Sequence, residues 1–278
     1  MKIAMISDLH TDINEEYPVV ELTAARAKEL KADVLLVAGD ISEDPDRTVR
    51  EMRRLAEILP DTAVRYVPGN HDMWNKHCPE RSTEEIYRMY SGDILCLSGQ
   101  VSSATDREKN MKVRFTGDIG WYDYSLASPD HRREELDSMT AGGRTWQDKL
   151  FNQWTGDNDA ACRDQLSRIE SQLSACGEGP VIAVTHMLPI REFCVPESQD
   201  GWGFFNAYLG TEKLHELFRK YPVAAAVCGH VHYRKVLQKD GILYICPCLG
   251  YHTEWPLCGL ADNEPATHVA DAMQLLEL

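Results

Sequence analysis

Nowhere does this chain of 278 residues hold the roughly 18 consecutive apolar residues of a bilayer span, so no segment reads as a membrane helix. Its first residues, MKIAMISDLH, lack the extended hydrophobic region and small-residue cleavage site of a secretory signal. Positive charge is scarce: 29 Lys and Arg stand against 44 Asp and Glu, a formal net charge of −15. Such a chain repels polyanions at long range, which argues against a nucleic-acid polymer or an anionic membrane as partner unless charge is strongly segregated. Small anions can still be held locally. A paired cysteine framework is missing too. The 9 cysteines are odd in number and scattered from Cys78 to Cys258, so at least one cannot pair within the chain, and a reduced, cytoplasmic protein fits best. Internal repeats and low-complexity linkers are absent.

What is present is ordinary for a globular protein: 43% hydrophobic and 26% charged residues, enough chain to bury a sizeable core in a single domain spanning 1–278. Short runs rich in Val, Ile and Leu read as buried strands at 2–6, 33–38, 63–67, 181–185 and 223–228. Between the early ones, 19–30 and 46–59 repeat apolar residues at three and four, as helices covering a sheet do. Strand and helix in alternation predict a largely parallel sheet whose ligands gather at the carboxyl ends of the strands. Further strands are expected at 112–117, 241–246 and 267–278. The stretch 121–176 is charged, opens with WYDY and carries Trp146 and Trp154. We read it as a helical excursion from the sheet.

Each of the first strand-like runs ends in a potential metal ligand. KIAMIS is followed by Asp8-Leu9-His10, DVLLVA by Gly39-Asp40, VRYVP by Gly69-Asn70-His71-Asp72, VIAVT by His186, and VAAAVC by Gly229-His230-Val231-His232. A single His or Asp after a strand is usually a turn former or a satisfied polar group. Their recurrence changes that reading, because several imidazoles and acids converging without a metal would leave buried polar groups unpaired. Carboxylate, imidazole and amide donors suit Mn, Fe or Zn.

The ordered set D-x-H, GD, GNHD, H and GHxH, running from Asp8 to His232, resembles the calcineurin-like metallophosphoesterase family. The resemblance implies an α/β fold, a two-sheet β-sandwich flanked by helices, and two divalent metal ions. One would be held by Asp8, His10, Asp40 and His232; the other by Asp40, Asn70, His186 and His230, with Asp40 bridging. It implies hydrolysis of a small phosphate ester, monoester or diester and possibly a nucleotide, by a metal-bridging hydroxide attacking phosphorus in line. His71 would face the scissile phosphate with Asp72 behind it as the orienting carboxylate. A protein serine/threonine phosphatase and a non-catalytic scaffold of the same fold are the alternatives; loss of metal ligands would mark the scaffold, and every family ligand position is occupied here.

Weaker signals concern the substrate. Arg191 and Arg234 could each clamp a phosphate bidentately or simply make surface ion pairs. Trp121, Tyr122 and Tyr124, with Trp202, Phe204, Phe205 and Tyr208, could wall a pocket or pack beneath a loop. Segments 121–176 and 187–210 are expected to cover the metal centre and choose the substrate. Cys246, Cys248 and Cys258 lack a zinc-knuckle spacing and read as reduced thiols, while His77 and His252 read as polar loop residues.

Overall fold

Runs in which every residue is apolar demand burial on both faces, and the layering of this protein meets that demand. The computed structural model describes residues 1–106 and 109–278. Among the described residues the strands are β1 (Lys2–Ile6), β2 (Val34–Ala38), β3 (Ala63–Val67), β4 (Ser102–Asp106), β5 (Met111–Asp118), β6 (Thr140–Ala141), β7 (Arg144–Thr145), β8 (Val181–Thr185), β9 (Val223–Val227), β10 (Arg234–Lys239), β11 (Ile242–Pro247) and β12 (Gln274–Glu277). One sheet has the order β12-β1-β2-β3 and the other β10-β11-β9-β8-β5-β4, while β6 and β7 form a small separate ribbon. Strands β1, β2 and β3 run parallel, as do β11, β9, β8 and β5; β12, β10 and β4 are antiparallel edges.

Side chains alternate across each strand, so one set faces the other sheet and the next faces helices. Ile3, Met5, Val34 and Leu36 meet Phe115, Ile182, Val184 and Val227 between the sheets. Ala4, Ile6, Leu35 and Val37 pack outward with Val19, Ala24, Met52 and Leu55 of the helices Val19–Leu30 and Pro45–Ile58. On the far side, Val181, Ala183 and Tyr244 cluster with Ile169 and Leu173 of the helix Asn158–Ala175. The result is a helix–sheet–sheet–helix sandwich. Burying each large apolar side chain contributes roughly 1.5–3 kcal/mol, so this two-sided burial is the main stabilising term.

Two segments differ from the sequence expectation. The run 267–278 is not one strand: a helix, Pro265–Ala272, precedes β12. Pro265 sits at its first turn, where the missing N–H costs nothing, and Val269 and Ala272 bury one face beside the helix Val19–Leu30. The stretch 121–176 divides in two. Its first part carries the short helices Arg133–Asp137 and Asp148–Phe151 and the β6–β7 ribbon. The long helix Asn158–Ala175 instead belongs to the sandwich. Its Gln165 carbonyl oxygen accepts from the Gly120 and Trp121 N–H groups at 2.9 and 3.0 Å, and its Gln172 accepts from Gly117 N–H at 3.0 Å.

At one end the sheets are joined. Ser7, just past β1, bridges to Cys248, just past β11, with Ser7 N–H donating to Pro247 O and Leu249 N–H donating to Ser7 O at 3.1 and 2.9 Å. The carboxyl ends of β1, β2, β3, β8 and β9 therefore open toward a common space.

Close approach of β5 and β8 depends on Gly117, where an added Cβ would fall 1.9 Å from the Val184 carbonyl oxygen. Gly117→Ala is expected to destabilise the fold by about 1–3 kcal/mol, the usual cost of overpacking a filled core. A urea unfolding midpoint equal to that of the parent protein would contradict this.

Candidate active site

The turns at these strand ends adopt backbone conformations that most sequences avoid. Asp8, His10, Asp40, His230 and His232 all have positive φ, from 41° at His10 to 79° at His230. Asp and His are among the residues that tolerate the left-handed region best, which accounts for their use here as far as the backbone is concerned. Glycine does the rest. A Cβ on Gly39, itself at φ 88°, would lie 2.5 Å from His186 Nδ1, and one on Gly69 would lie 2.1 Å from Asp40 Oδ1. These two positions let the turns after β2 and β3 touch.

The side chains converge on Asp40, which is 1% exposed. Its Oδ1 accepts from the His71 backbone N–H at 3.0 Å, leaving Oδ2 facing His186 Nε2 at 3.3 Å, His10 Nε2 at 3.7 Å and His71 Nε2 at 4.0 Å. On one side, His10 Nε2 and His232 Nε2 lie 3.0 Å apart, and His232 Nε2 is 3.5 Å from Asp8 Oδ1. On the other, His186 Nε2 lies 3.1 Å from both Asn70 Oδ1 and His230 Nδ1. Two donor groups result: Asp8, His10, Asp40 and His232, and Asp40, His186 and His230 with Asn70 alongside.

The donor count tests whether this cluster fits a cation. His186 Nδ1 faces the Ala38 carbonyl at 2.9 Å, which requires a proton on Nδ1 and leaves Nε2 as a lone pair in the neutral ring. That lone pair faces the Asn70 oxygen, the Asp40 oxygen and another imidazole nitrogen, and none of the first two can donate. Facing lone pairs are reconciled by positive charge between them; a proton on His186 Nε2 can serve one of these three contacts, whereas a divalent ion serves all of them at once, so the residues fit a divalent metal. The outer contacts support the same ligands. Asp8 accepts from the His230 N–H at 3.0 Å, and Glu254 lies 2.8 Å from His232 Nδ1.

Electrostatics follow from burial against charge. Burial lowers the imidazole pKa at His10 and at His230, and there it prevails. At His186 burial is overridden by Asp40, and the ring is pushed up to about 9. Asp40 is held well below the usual carboxylate range by His186 and His71 in spite of its burial.

His71 occupies the rim of the cluster, stacked on Trp74 with ring centres 3.8 Å apart. Its orienting carboxylate is not Asp72, and the reason is the tight turn His71–Met73, which sends consecutive side chains in different directions. Asp72 points back into the protein and accepts from the N–H groups of Ile41, Ser42 and Gly69 at 3.0, 3.0 and 2.7 Å and from Thr48 Oγ1 at 2.7 Å. Burial and Asp40 push its carboxyl up to about 7. The carboxylate beside the ring is Glu43, whose Oε1 is 3.6 Å from His71 Nδ1. Contact with His71 holds Glu43 down to about 2. Burial lowers the His71 pKa, but Asp40 and Glu43 outweigh it and raise the ring.

A cleft of about 960 Å³ opens from this centre, bounded by Trp74, Trp146, Trp202 and Tyr251, with Lys76, Arg144 and Lys235 at its edges. Other expected substrate contacts lie elsewhere. Trp121 and Tyr122 are fully buried, stacked on each other at 4.8 Å, and Trp121 Nε1 donates to Asn158 Oδ1 at 2.9 Å: they support the excursion from beneath. Arg191 is a staple, donating to the carbonyls of Ser125 and Leu126 and pairing with Glu212 at 3.3 Å. Arg234 donates to Cys248 O at 3.1 Å and pairs with Asp271 at 2.5 Å. These contacts turn both guanidiniums away from the donor cluster, with Arg234 Nε and Nη1 engaged. Of the other aromatics, Trp202 lines the cleft, while Phe204, Phe205 and Tyr208 are buried in packing. Glu43, Glu254, Asp148 and the edge cations were missed from sequence. Glu43 follows Asp40 closely enough to have been weighed; for Asp148 and Arg144, inside the excursion, no local signal exists.

Comparison with known proteins agrees with this geometry. The chain is 24% identical over 272 residues to the [Acyl-carrier-protein] phosphodiesterase PptH of Mycobacterium tuberculosis, covering 90% of this chain and 78% of that protein. It is 22% identical over 229 residues to the uncharacterized protein L509 of Acanthamoeba polyphaga mimivirus, 79% of either chain. The crystal structure of phosphopantetheinyl hydrolase (PptH) from Mycobacterium tuberculosis superimposes with a TM-score of 0.75 at 20% identity, over 99% of this chain and 95% of that one, so the fold is shared. A family model described as calcineurin-like phosphoesterase matches residues 1–234, a span that contains every converging ligand from Asp8 to His232. With the ligand turns, their order and the sandwich all in agreement, this chain belongs to the calcineurin-like phosphoesterases and is a metal-dependent phosphoesterase.

Proposed function

We propose that this protein hydrolyses a phosphodiester bearing a long, uncharged organic arm, and that a phosphopantetheinyl carrier protein is its substrate. The observation that carries the reading is the cleft. At about 960 Å³ it far exceeds what a phosphate group needs, and it places aromatic walls next to the donor cluster and cations only at its edges. A phosphopantetheinyl arm has that character: one charged phosphodiester, then an amide chain without charge. Similarity along almost the whole chain to a protein named for acyl-carrier-protein phosphodiesterase activity supports the choice.

Two divalent ions, Mn, Fe or Zn, would occupy the two donor groups and share Asp40; when bound they supply Lewis acidity and an activated water for attack on phosphorus. The chain's own residues do the remainder. Asp40, anchored by the His71 N–H, fixes the spacing of the two groups. His71, raised in pKa and facing the centre, is the proton donor to the departing alkoxide or to a phosphoryl oxygen, with Glu43 and Trp74 holding its ring. The abundance of free cysteines fits work in a reducing cytoplasm.

Incubation of holo-carrier protein with the Mn-loaded enzyme should release phosphopantetheine, seen as loss of the arm's mass from the carrier. Turnover of generic aryl diesters with no release from the carrier protein would refute the substrate while leaving the chemistry intact. Asp40→Ala is expected to abolish metal uptake and turnover together, whereas His71→Ala should keep the metal content and slow hydrolysis about 10²- to 10⁴-fold. Metal analysis alongside the assay separates the two; loss of metal from the His71 variant would contradict its role as proton donor.

The Glu43 contact makes a further prediction about pH. Its negative charge raises the His71 pKa, so Glu43→Gln lowers it, and at a given pH less of the ring is protonated. The basic limb of the kcat/KM profile should therefore move to lower pH, by about one unit for loss of a charge at this distance. An unmoved limb would detach Glu43 from the proton donor.

A further inference from the structure

Asn70 presents a problem that the family pattern does not solve. An amide has two ends of nearly equal shape, and only its oxygen can serve a cation; turned about, it would push two N–H groups into the donor cluster. Something must fix its orientation. In this protein the partner of its nitrogen comes from the excursion. Asn70 Nδ2 donates to Asp148 Oδ1 at 2.9 Å, while Asn70 Oδ1 faces His186 Nε2 at 3.1 Å. A carboxylate can only accept, so its presence on that side dictates which end of the amide points inward.

Asp148 is suited to this task in other ways. It is 1% exposed and its two oxygens are met by convergent side-chain N–H donors, while its charge helps to raise the His71 ring. Oδ1 also accepts from Trp74 Nε1 at 2.7 Å and from Asn152 Nδ2 at 3.1 Å, and Oδ2 accepts from Trp146 Nε1 at 2.8 Å. Through Trp74 it holds the ring on which His71 stacks, and through Trp146 the ring whose edge meets His230 at 5.7 Å. The surrounding backbone is docked as well: Asn75 N–H donates to Phe151 O at 3.0 Å, and Asn152 Nδ2 reaches the Asn70 carbonyl at 3.3 Å.

We infer that Asp148 is the positioning residue of the Asn70 cation site: it locks the Asn70 amide with its oxygen inward, so that docking of the excursion and completion of that site are one event. The helix Asp148–Phe151 is then part of the metal centre as well as a wall of the cleft. This rests on the two-ion reading given above and is independent of which ester is cleaved.

The test is calorimetric titration of the metal-free protein with Mn, together with the electron paramagnetic resonance of the loaded protein. Wild type should take two equivalents and show an exchange-coupled Mn pair. Asp148→Ala should keep the first affinity, weaken the second about 10- to 100-fold as removal of a ligand's supporting partner does, and give a single-ion spectrum at one equivalent. Asp148→Asn retains an oxygen for the Asn70 nitrogen and should restore most of the second affinity. A folded Asp148→Ala protein that binds both ions as tightly as wild type overturns the inference alone; a wild type that binds only one ion overturns it together with the two-ion reading. Should Asp148→Ala fail to fold, the zinc-loaded wild type decides by nitrogen-15 NMR. An Asn70 side-chain amide whose protons are protected from water exchange supports the lock, and rapid exchange overturns it.

Discussion

One buried carboxylate organises this protein. Asp40 sits at 1% exposure with a single backbone donor and three imidazoles around it. Removing such a charge from water is tolerable only when compensated on every side, and the compensation has to come from residues far apart in sequence. The consequences reach into the backbone. Asp8, His10, Asp40, His230 and His232 are all held in the left-handed region, each at an energetic cost of order 1 kcal/mol or more, and Gly39 and Gly69 are required where the turns press together. Other left-handed residues, such as Lys31 and Asp240, are scattered, whereas these five meet at one cluster of ligands. Two-sided burial of the strands supplies the stability against which that strain is held.

The sequence made the sandwich legible where local pattern and global role coincide. Short all-apolar, β-branched runs bounded by Gly and Asp, such as VLLVA, read as strands buried on both faces, and each run ends at the edge where its next polar residue meets the others. Ligands at strand ends were therefore readable without coordinates. What stayed hidden depends on direction and on long-range docking. Asp72 adjoins His71 in sequence, yet a tight turn sends it to the backbone of Ile41 and Ser42, and Glu43 from the neighbouring turn takes its place. Arg191 and Arg234 follow ligand motifs closely, but nearby carbonyls and acids hold them outside the cleft lining. Proximity in sequence predicted nearness and could not predict orientation.

The excursion shows how indirect support shapes a site. Trp121 and Tyr122, expected at the substrate, lie beneath it, and Arg191 ties the carbonyls of 125–126 to Glu212 on the loop beyond β8. These contacts anchor the start of the segment. Its far end, from Arg144 to Phe151, is then delivered to the cleft, where Trp146 and Asp148 meet the ligands. The helix Asn158–Ala175 closes the path by returning the chain to the second sheet. A segment that looked like a cover is thus held at both ends by the sandwich and reaches the centre only in its middle.

Charge distribution reconciles an acidic surface with an anionic substrate. A net charge of −15 acts at range, but salt screens exposed charges beyond about 8 Å. Inside the cleft, local groups decide. Lys76 is paired with Glu43 at 2.5 Å and the Lys235 amine donates to the Glu192 carbonyl, so neither is wholly free to bind a phosphate. Arg144, whose guanidinium lies 4.7 Å from the Phe205 ring centre, combines charge with an apolar setting. Cation charge is thus sparse and peripheral, while the walls are aromatic. A polyanion would meet repulsion outside and few cations inside, whereas the proposed substrate, with one phosphodiester and an uncharged arm, would need charge only where the metal ions are held and could lay its length along the rings. The same arrangement accords with the family's hydrolysis of small phosphate esters.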